Sequence, residues 1–74
     1  MKDKHKESAI QTAIQEYKLS VSFGFSSRTV AAINTMENVY IMCAPYNIDG
    51  IAVLGETINK AKDQYKGRLS ITNM

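Results

Sequence analysis

The sequence predicts a small two- or three-layer α/β domain with the element order α-β-α-β-α-β and a three-stranded, mainly parallel sheet. Two observations predict this fold. Apolar residues recur at helical spacing in three segments, and each of these segments is followed by a short stretch that is alternating or wholly apolar. Alternating helices and strands are typical of parallel strands joined by right-handed crossovers. A chain of 74 residues has room for one such domain.

Three helices are predicted from the segments with helical spacing. The first runs over residues 8–18, after a charged tail, residues 1–7, that is predicted to be flexible. The second begins at Ser27 behind a serine N-cap and runs to Glu37. The third follows Asp49 as its N-cap and stops at Gly67. Residues 8–74 are therefore predicted to form the single folded domain.

The third predicted helix has the clearest stripe, and it contains a glycine. Its apolar residues are Ile51, Leu54, Ile58, Ala61 and Tyr65. Gly55 interrupts it, although glycine costs about 1 kcal/mol relative to alanine inside a helix. Such a glycine indicates close packing against a strand or another helix.

Three short segments are predicted to be strands. Residues 19–25, LSVSFGF, alternate between apolar and small or polar side chains, as in a half-buried strand. Residues 39–44, VYIMCA, are apolar on both faces, which is typical of a central strand, and Pro45 would end it. Residues 68–72, RLSIT, alternate again.

One face of this sheet is predicted to be an interface. Tyr40 and Met42 would point away from the helix-covered face and would be framed by hydroxyl side chains, which indicates a contact surface. The candidate interface consists of Tyr40, Met42, Ser20, Ser22, Ser70 and Thr72. In the alternative, the N-terminal helix covers this face and docks its own apolar residues onto it. Those residues are Ile10, Ile14 and Tyr17.

A candidate site for a small anion lies at the carboxyl edge of the predicted sheet. The turns FSSRT and PYNIDG follow the first two predicted strands, and open α/β sheets bind ligands at that edge. A helix N-terminus and Arg28 would attract a phosphate, while Tyr46 would stack on the base of a nucleotide. The candidate ligand-binding residues are Ser26, Ser27, Arg28, Thr29, Tyr46, Asn47 and Asp49.

Cys43 is the only cysteine, and its surroundings support two interpretations. The segment Cys-Ala-Pro-Tyr resembles the CxxC loop of the thioredoxin family, with Tyr46 in place of the second thiol. That resemblance implies a thiol-dependent redox protein. In the alternative, Cys43 is a core residue, since free cysteine is among the most buried residue types and no cation is near it in the sequence to activate it.

The composition excludes several classes of function. Apolar residues make up 45% of the chain and charged residues 22%, as in globular proteins, and no apolar run is long enough to cross a bilayer. No basic stripe interleaved with aromatic residues indicates a nucleic-acid partner. No catalytic motif, metal-ligand spacing or cofactor fingerprint is present, so neither an enzyme, a metal nor a cofactor is predicted.

These observations favour a small non-enzymatic binding or regulatory protein that acts by protein-protein interaction, of accessory or inhibitor type. A chain of this size buries a marginal core and has no disulfide to reinforce it, so a homodimer or higher homo-oligomer is expected. The free cysteine and the lack of an apolar signal segment predict a cytoplasmic protein. A binder of a small anionic ligand is the alternative.

Overall fold

The computed structural model describes the backbone of residues 2–72 and the side chains of residues 4–67, and it contains three α-helices in this range. Helix α1 spans Lys2–Ser22, α2 spans Ser27–Cys43 and α3 spans Ile51–Thr72, with a 3-10 turn at Ala44–Tyr46. The described chain is 88% helical and has no strand. The predicted small α/β domain with its parallel sheet is therefore wrong, and the fold is a helical bundle.

Residues 19–22 of the predicted first strand are the C-terminal end of α1, and residues 23–25 lie in the connection to α2. The helix begins at Lys2, so residues 2–7 are helical where a flexible tail was predicted. The apolar stripe of α1 continues past Tyr17 through Ser20, which is buried, to Val21, which is half-buried. The Ser20 hydroxyl donates a hydrogen bond to the carbonyl of Tyr17 at 2.7 Å, so a serine is accommodated in the buried face of a helix.

The predicted central strand is the C-terminal part of α2. Helix α2 begins at Ser27, as predicted, but it passes through Asn38 and ends at Cys43. Its buried side chains keep a helical spacing along the whole element, and they are Thr29, Ala32, Ile33, Met36 and Cys43. A short apolar run such as 39–44 fits a strand and a buried helix equally well. Here the longer helical period decides the structure.

Residues 68–72, which were predicted to form the third strand, are helical and form the C-terminal end of α3. Gly67 does not end the helix, and the side chains after it lie outside the described part. Tyr65 departs from helical geometry, with φ −114° and ψ 17°, and marks a kink. Its ring lies 4.8 Å, centroid to centroid, from the ring of Phe25.

The helix starts follow ordinary capping rules. Ser26 is extended and is the N-cap of α2, and its backbone N–H donates to Thr29 Oγ1 at 3.3 Å. At α3 the carbonyl of Gly50 accepts the first helical hydrogen bond, from Leu54 at 2.9 Å. Gly50 therefore occupies the N-cap position that was predicted for Asp49, and its φ of 92° suits glycine.

The core lies between all three helices and includes one residue of the α2–α3 connection. Its buried members are Ile10, Ala13, Ile33, Met36, Cys43, Ile48, Leu54, Ile58 and Ala61. Helix α2 packs against both α1 and α3 and is central to the bundle. Ile14 and Tyr17 pack on the edge of this core, so α1 docks through its predicted apolar stripe. Cys43 is buried in the core, which agrees with the second of the two interpretations of this cysteine.

The glycine at position 55 allows close contact between α2 and α3, as its position in the sequence predicted. A β-carbon there would stand 2.9 Å from Cε2 of the Tyr40 ring. That distance is shorter than van der Waals contact, so a larger residue requires the ring to move. The ring of Tyr40 therefore packs against α3 at Gly55 because position 55 has no side chain.

Alanine at position 55 is expected to have opposite consequences in two backgrounds. In a Tyr40→Ala protein, Gly55→Ala should raise the free energy of unfolding by about 1 kcal/mol, the helix-propensity difference. In the wild type the displaced Tyr40 ring should cancel most or all of that gain. Urea unfolding of the four variants of this double-mutant cycle measures the coupling. Equal gains in both backgrounds would show that the ring does not depend on Gly55.

Tyr17 gives the bundle a sensitivity to alkaline pH. Burial, and in second place the neighbouring Tyr65, raise the pKa of Tyr17 above its ordinary value of 10.0. The folded state therefore binds the phenolic proton more tightly than the unfolded state. The resulting stabilisation is complete below pH 10 and is lost as the pH rises through the folded pKa.

The Tyr17→Phe variant isolates this titration. The difference in melting temperature between the wild type and Tyr17→Phe is expected to be constant up to about pH 9.5. Above pH 10, where Tyr17 can ionise, the melting temperature of the wild type should fall relative to that of Tyr17→Phe. Circular dichroism melts between pH 8 and 11.5 measure it. A constant difference over the whole range would contradict the assignment.

Candidate functional site

Exposed apolar side chains are concentrated at one end of the bundle. Among residues 4–67 the exposed large hydrophobic side chains are Leu19, Phe23, Tyr40, Ile41, Met42, Tyr46 and Val53. Four of these seven lie within one stretch of seven residues. We call this group, Tyr40, Ile41, Met42 and Tyr46, the 40–46 surface. Ile41 is 69% exposed and Met42 is 70% exposed. We call these two residues the crest of the surface, and they are open to solvent.

The helical period of α2 places these residues outside. Met36 and Cys43 point into the core, so Ile41 and Met42, between them in the sequence, fall on the opposite side of the helix. The 3-10 turn Ala44–Tyr46 then brings Tyr46 back beside the same end of α2. The ammonium of Lys6, on α1, lies 4.5 Å from the centroid of the Tyr46 ring.

A cleft lies between α2 and α3 on one side of this crest. Its volume is about 260 Å³, and it is lined by Glu37, Tyr40, Ile41, Gly55, Ile58, Asn59 and Lys62. Glu37 and Lys62 form an ion pair across it. The charges of this cleft therefore compensate each other within the chain.

A larger cleft lies between α1 and α2 on the other side. Its volume is about 520 Å³, and it is lined by His5, Lys6, Ala9, Val39, Met42, Cys43 and Tyr46. Ala9, Val39 and Met42 supply apolar wall, and none of the seven lining residues is a carboxylate. The C-terminal half of α2 is thus a ridge with a cleft on each flank.

The structure brings together only part of the predicted interface. Tyr40 and Met42 share the exposed end of α2. Ser20 and Ser22 end α1 just before α2 starts, about 20 Å away along α2 at 1.5 Å per residue. The Ser20 side chain is buried, and the Ser22 hydroxyl donates to the carbonyl of Leu19 at 2.6 Å. The side chains of Ser70 and Thr72 lie outside the described residues.

The two halves of the predicted anion site are not brought together. Residues 26–29 lie at the start of α2 and residues 46–49 after its end, so a helix of 17 residues, about 25 Å long, separates them. The sheet edge that was to unite them is replaced by the length of that helix. Thr29 is fully buried and serves the cap of α2, while Ser27 and Arg28 are exposed at the helix start.

Ile41 and Lys6 are two of the residues of the 40–46 surface and its clefts that were missed in the sequence. Ile41 was placed in the core of the predicted sheet, and Lys6 was placed in a flexible tail. A helical projection continued past Asn38 would have put Ile41 outside and Cys43 inside. The position of Lys6 depends on α1 beginning at Lys2, for which the charged segment gives no apolar signal.

The described part of the chain offers no other site of defined chemistry. Within it, no three His, Cys, Asp or Glu side chains are grouped so as to hold a metal ion. Every buried side-chain nitrogen or oxygen in this part has a hydrogen-bond partner. Among the helices of residues 2–72, none combines the length and apolarity needed to cross a membrane.

No protein-family model, no curated protein and no solved structure matches this chain. Its function is therefore inferred from its own residues and geometry. The fold and the exposed surface define a three-helix bundle with an apolar ridge at one end.

Proposed function

We propose that this protein is a small non-enzymatic interaction protein that self-associates through the 40–46 surface. The observation that carries the proposal is the exposure of Ile41 and Met42, consecutive residues on the side of α2 away from Met36 and Cys43. Burial of apolar surface contributes about 25 cal/mol per Å², so covering these side chains favours association. Grouped exposure of this kind is typical of protein-protein contact sites, whereas isolated exposed residues are normal.

The charge distribution favours a second copy of the chain as the partner. An isologous interface places each patch against an identical patch, so uncompensated charges would repel. The crest residues are uncharged, and the Glu37–Lys62 pair is neutral as a unit. Lys6 lies at the far side of the larger cleft, over the Tyr46 ring. Two copies therefore meet through their crests with little like-charge repulsion.

The shape of the surface also suits helix-on-helix packing. Helix α2 is a ridge between two clefts, and helices pack by inserting ridges of one into grooves of the other. With a two-fold axis, the Ile41 and Met42 side chains of each copy lie against the flank of the other α2. Both copies then cover their apolar crest at once.

Because the core is small, self-association would also stabilise the fold. Three of the ten buried hydrophobic residues are alanine and one is cysteine, so six large apolar side chains fill the core. Domains of this size often gain the stability they lack from oligomerisation. We include a cytoplasmic location in the proposal, supported by the single unpaired cysteine.

The mass in solution tests the proposal. Light scattering across a dilution series is expected to give twice the 8.2 kDa of one chain at high concentration and one chain at high dilution. A mass of one chain at all concentrations up to about 1 mM, where the association free energy would be only about 4 kcal/mol, would contradict self-association.

A further inference from the structure

We infer that the cleft between α1 and α2 is a binding site for an amphipathic monocarboxylate, a ligand with an aliphatic or aromatic body and one carboxylate. This is a site of the single chain, because Met42 and Tyr46 border both the cleft and the surface proposed above for self-association, and a second copy packed there would cover part of it. Its volume of about 520 Å³ lies in the range of small-molecule pockets.

The interior of the cleft selects an apolar ligand body. Val39, Met42 and Ala9 form its apolar walls, with Cys43 beside them. Small-molecule sites combine such walls with a few polar groups that orient the ligand. Methionine also adapts its shape to different occupants because its chain is unbranched.

The polar groups of the cleft select an anion. His5, Lys6 and Tyr46 are its polar residues, and the side chains of all three can donate hydrogen bonds. Within residues 4–67, Lys6 makes no ion pair, because the ion pair found there joins Lys62 to Glu37. The face of Tyr46 holds the Lys6 ammonium at 4.5 Å from the ring centroid without neutralising its charge.

These polar groups fit a single carboxylate better than a nucleotide. One lysine and one histidine among the lining residues provide at most two positive charges. Polyphosphates are usually bound by several such donors together. A monocarboxylate needs one cation and leaves its apolar body for the cleft.

Octanoate is a suitable probe, and the Ile41→Asp variant is a suitable protein. Ile41 is 69% exposed and does not line this cleft, so its replacement removes self-association through the crest without changing the site. A failure of octanoate binding in this variant can then be distinguished from a failure of the proposed dimer. Amide shifts in ¹H–¹⁵N spectra during an octanoate titration report both affinity and location.

The expected result is saturable binding, with the largest shifts in residues 5–9 and 39–46. Lys6→Gln, added to Ile41→Asp, should weaken octanoate binding about fivefold, the equivalent of about 1 kcal/mol for a partly exposed ion pair. Lys18→Gln removes another lysine of α1, one that does not line the cleft, and should leave the affinity unchanged. Uncharged 1-octanol should bind with the lower affinity and should not respond to Lys6→Gln.

Three results would overturn the inference. The first is that octanoate at millimolar concentration causes no saturable shift. The second is that its shifts map to the cleft between α2 and α3. The third is that Lys6→Gln and Lys18→Gln weaken octanoate binding equally. Each of these readouts comes from a folded monomeric variant, as its spectrum verifies directly. The light-scattering dilution series of the wild type tests self-association independently of octanoate binding.

Discussion

Replacing Leu54 by alanine is expected to lower the free energy of unfolding by about 2–5 kcal/mol. Leu54 is fully buried on α3 and belongs to the core shared by all three helices. Its truncation removes apolar contacts and leaves a cavity that the surrounding helices fill only in part. A domain of this length has a total stability of about 4–11 kcal/mol, so one such cavity removes a large share of it.

Urea unfolding followed by circular dichroism measures this loss, and Val53→Ala is its matched control. Val53 is the preceding residue of α3 and is 56% exposed, so its truncation should change stability by about 0.5 kcal/mol or less. Both changes shorten an aliphatic side chain on the same helix. Equal losses in the two variants would mean that α3 does not present Leu54 to the core.

The Met42→Glu variant is expected to weaken self-association by at least about 30-fold, the equivalent of about 2 kcal/mol at a central contact. Met42 is 70% exposed in the single chain, so a glutamate there is fully solvated and should leave the fold intact. In the dimer, the same carboxylate would be desolvated against the apolar surface of the second copy. Sedimentation velocity across a concentration series measures the shift.

Val53→Glu is the control for the change of charge. It places the same carboxylate at another exposed apolar position, outside the 40–46 surface, and should leave the association constant unchanged. If both variants dissociate alike, net charge and not the 40–46 surface controls assembly. If neither does, the interface lies elsewhere, and the crest of α2 is free for a different protein.

The two sets of variants separate folding from assembly. Leu54→Ala acts on a side chain with no exposure, and Met42→Glu acts on one with no role in the core. Helix α2 takes part in both folding and assembly, because Met36 lies on its buried side and Met42 on its exposed side. A dimer at 100 times its dissociation constant would add about 2.7 kcal/mol to the apparent stability of the wild type alone.

The sequence correctly indicated where helices exist but not where they end. The stripes around Ile10, Ile33 and Leu54 all form core helices, and the Ser26 cap and the close contact at Gly55 were also predicted. The extensions to Ser22 and Cys43 were missed because windows of six or seven residues fit a period of 2 and a period of 3.6 alike. Gly67 and Asn38 were given too much weight as helix stops.

The candidate sites depended on those helix ends. Ser26, Arg28 and Tyr46 were expected at one edge because parallel strands align their carboxyl ends, and a continuous α2 separates them instead. Met42 remains exposed in either fold, since it is offset from the core positions by both periods. Tyr40 lies one helical turn after Met36, with its ring against Gly55, and is 38% exposed. Lys6 joins Tyr46 only through the packing of α1 on α2.

The sequence by itself determined the helical segments of the core, the serine cap of α2 and the apolar character of residues 39–43. Only the tertiary structure decided that this last segment is helical, with Cys43 inside and Ile41 outside. The physical reason is that the local pattern supports both conformations almost equally. Burial of Met36 and Cys43 against α1 and α3 rewards one continuous helix, and no sheet forms to stabilise the alternative.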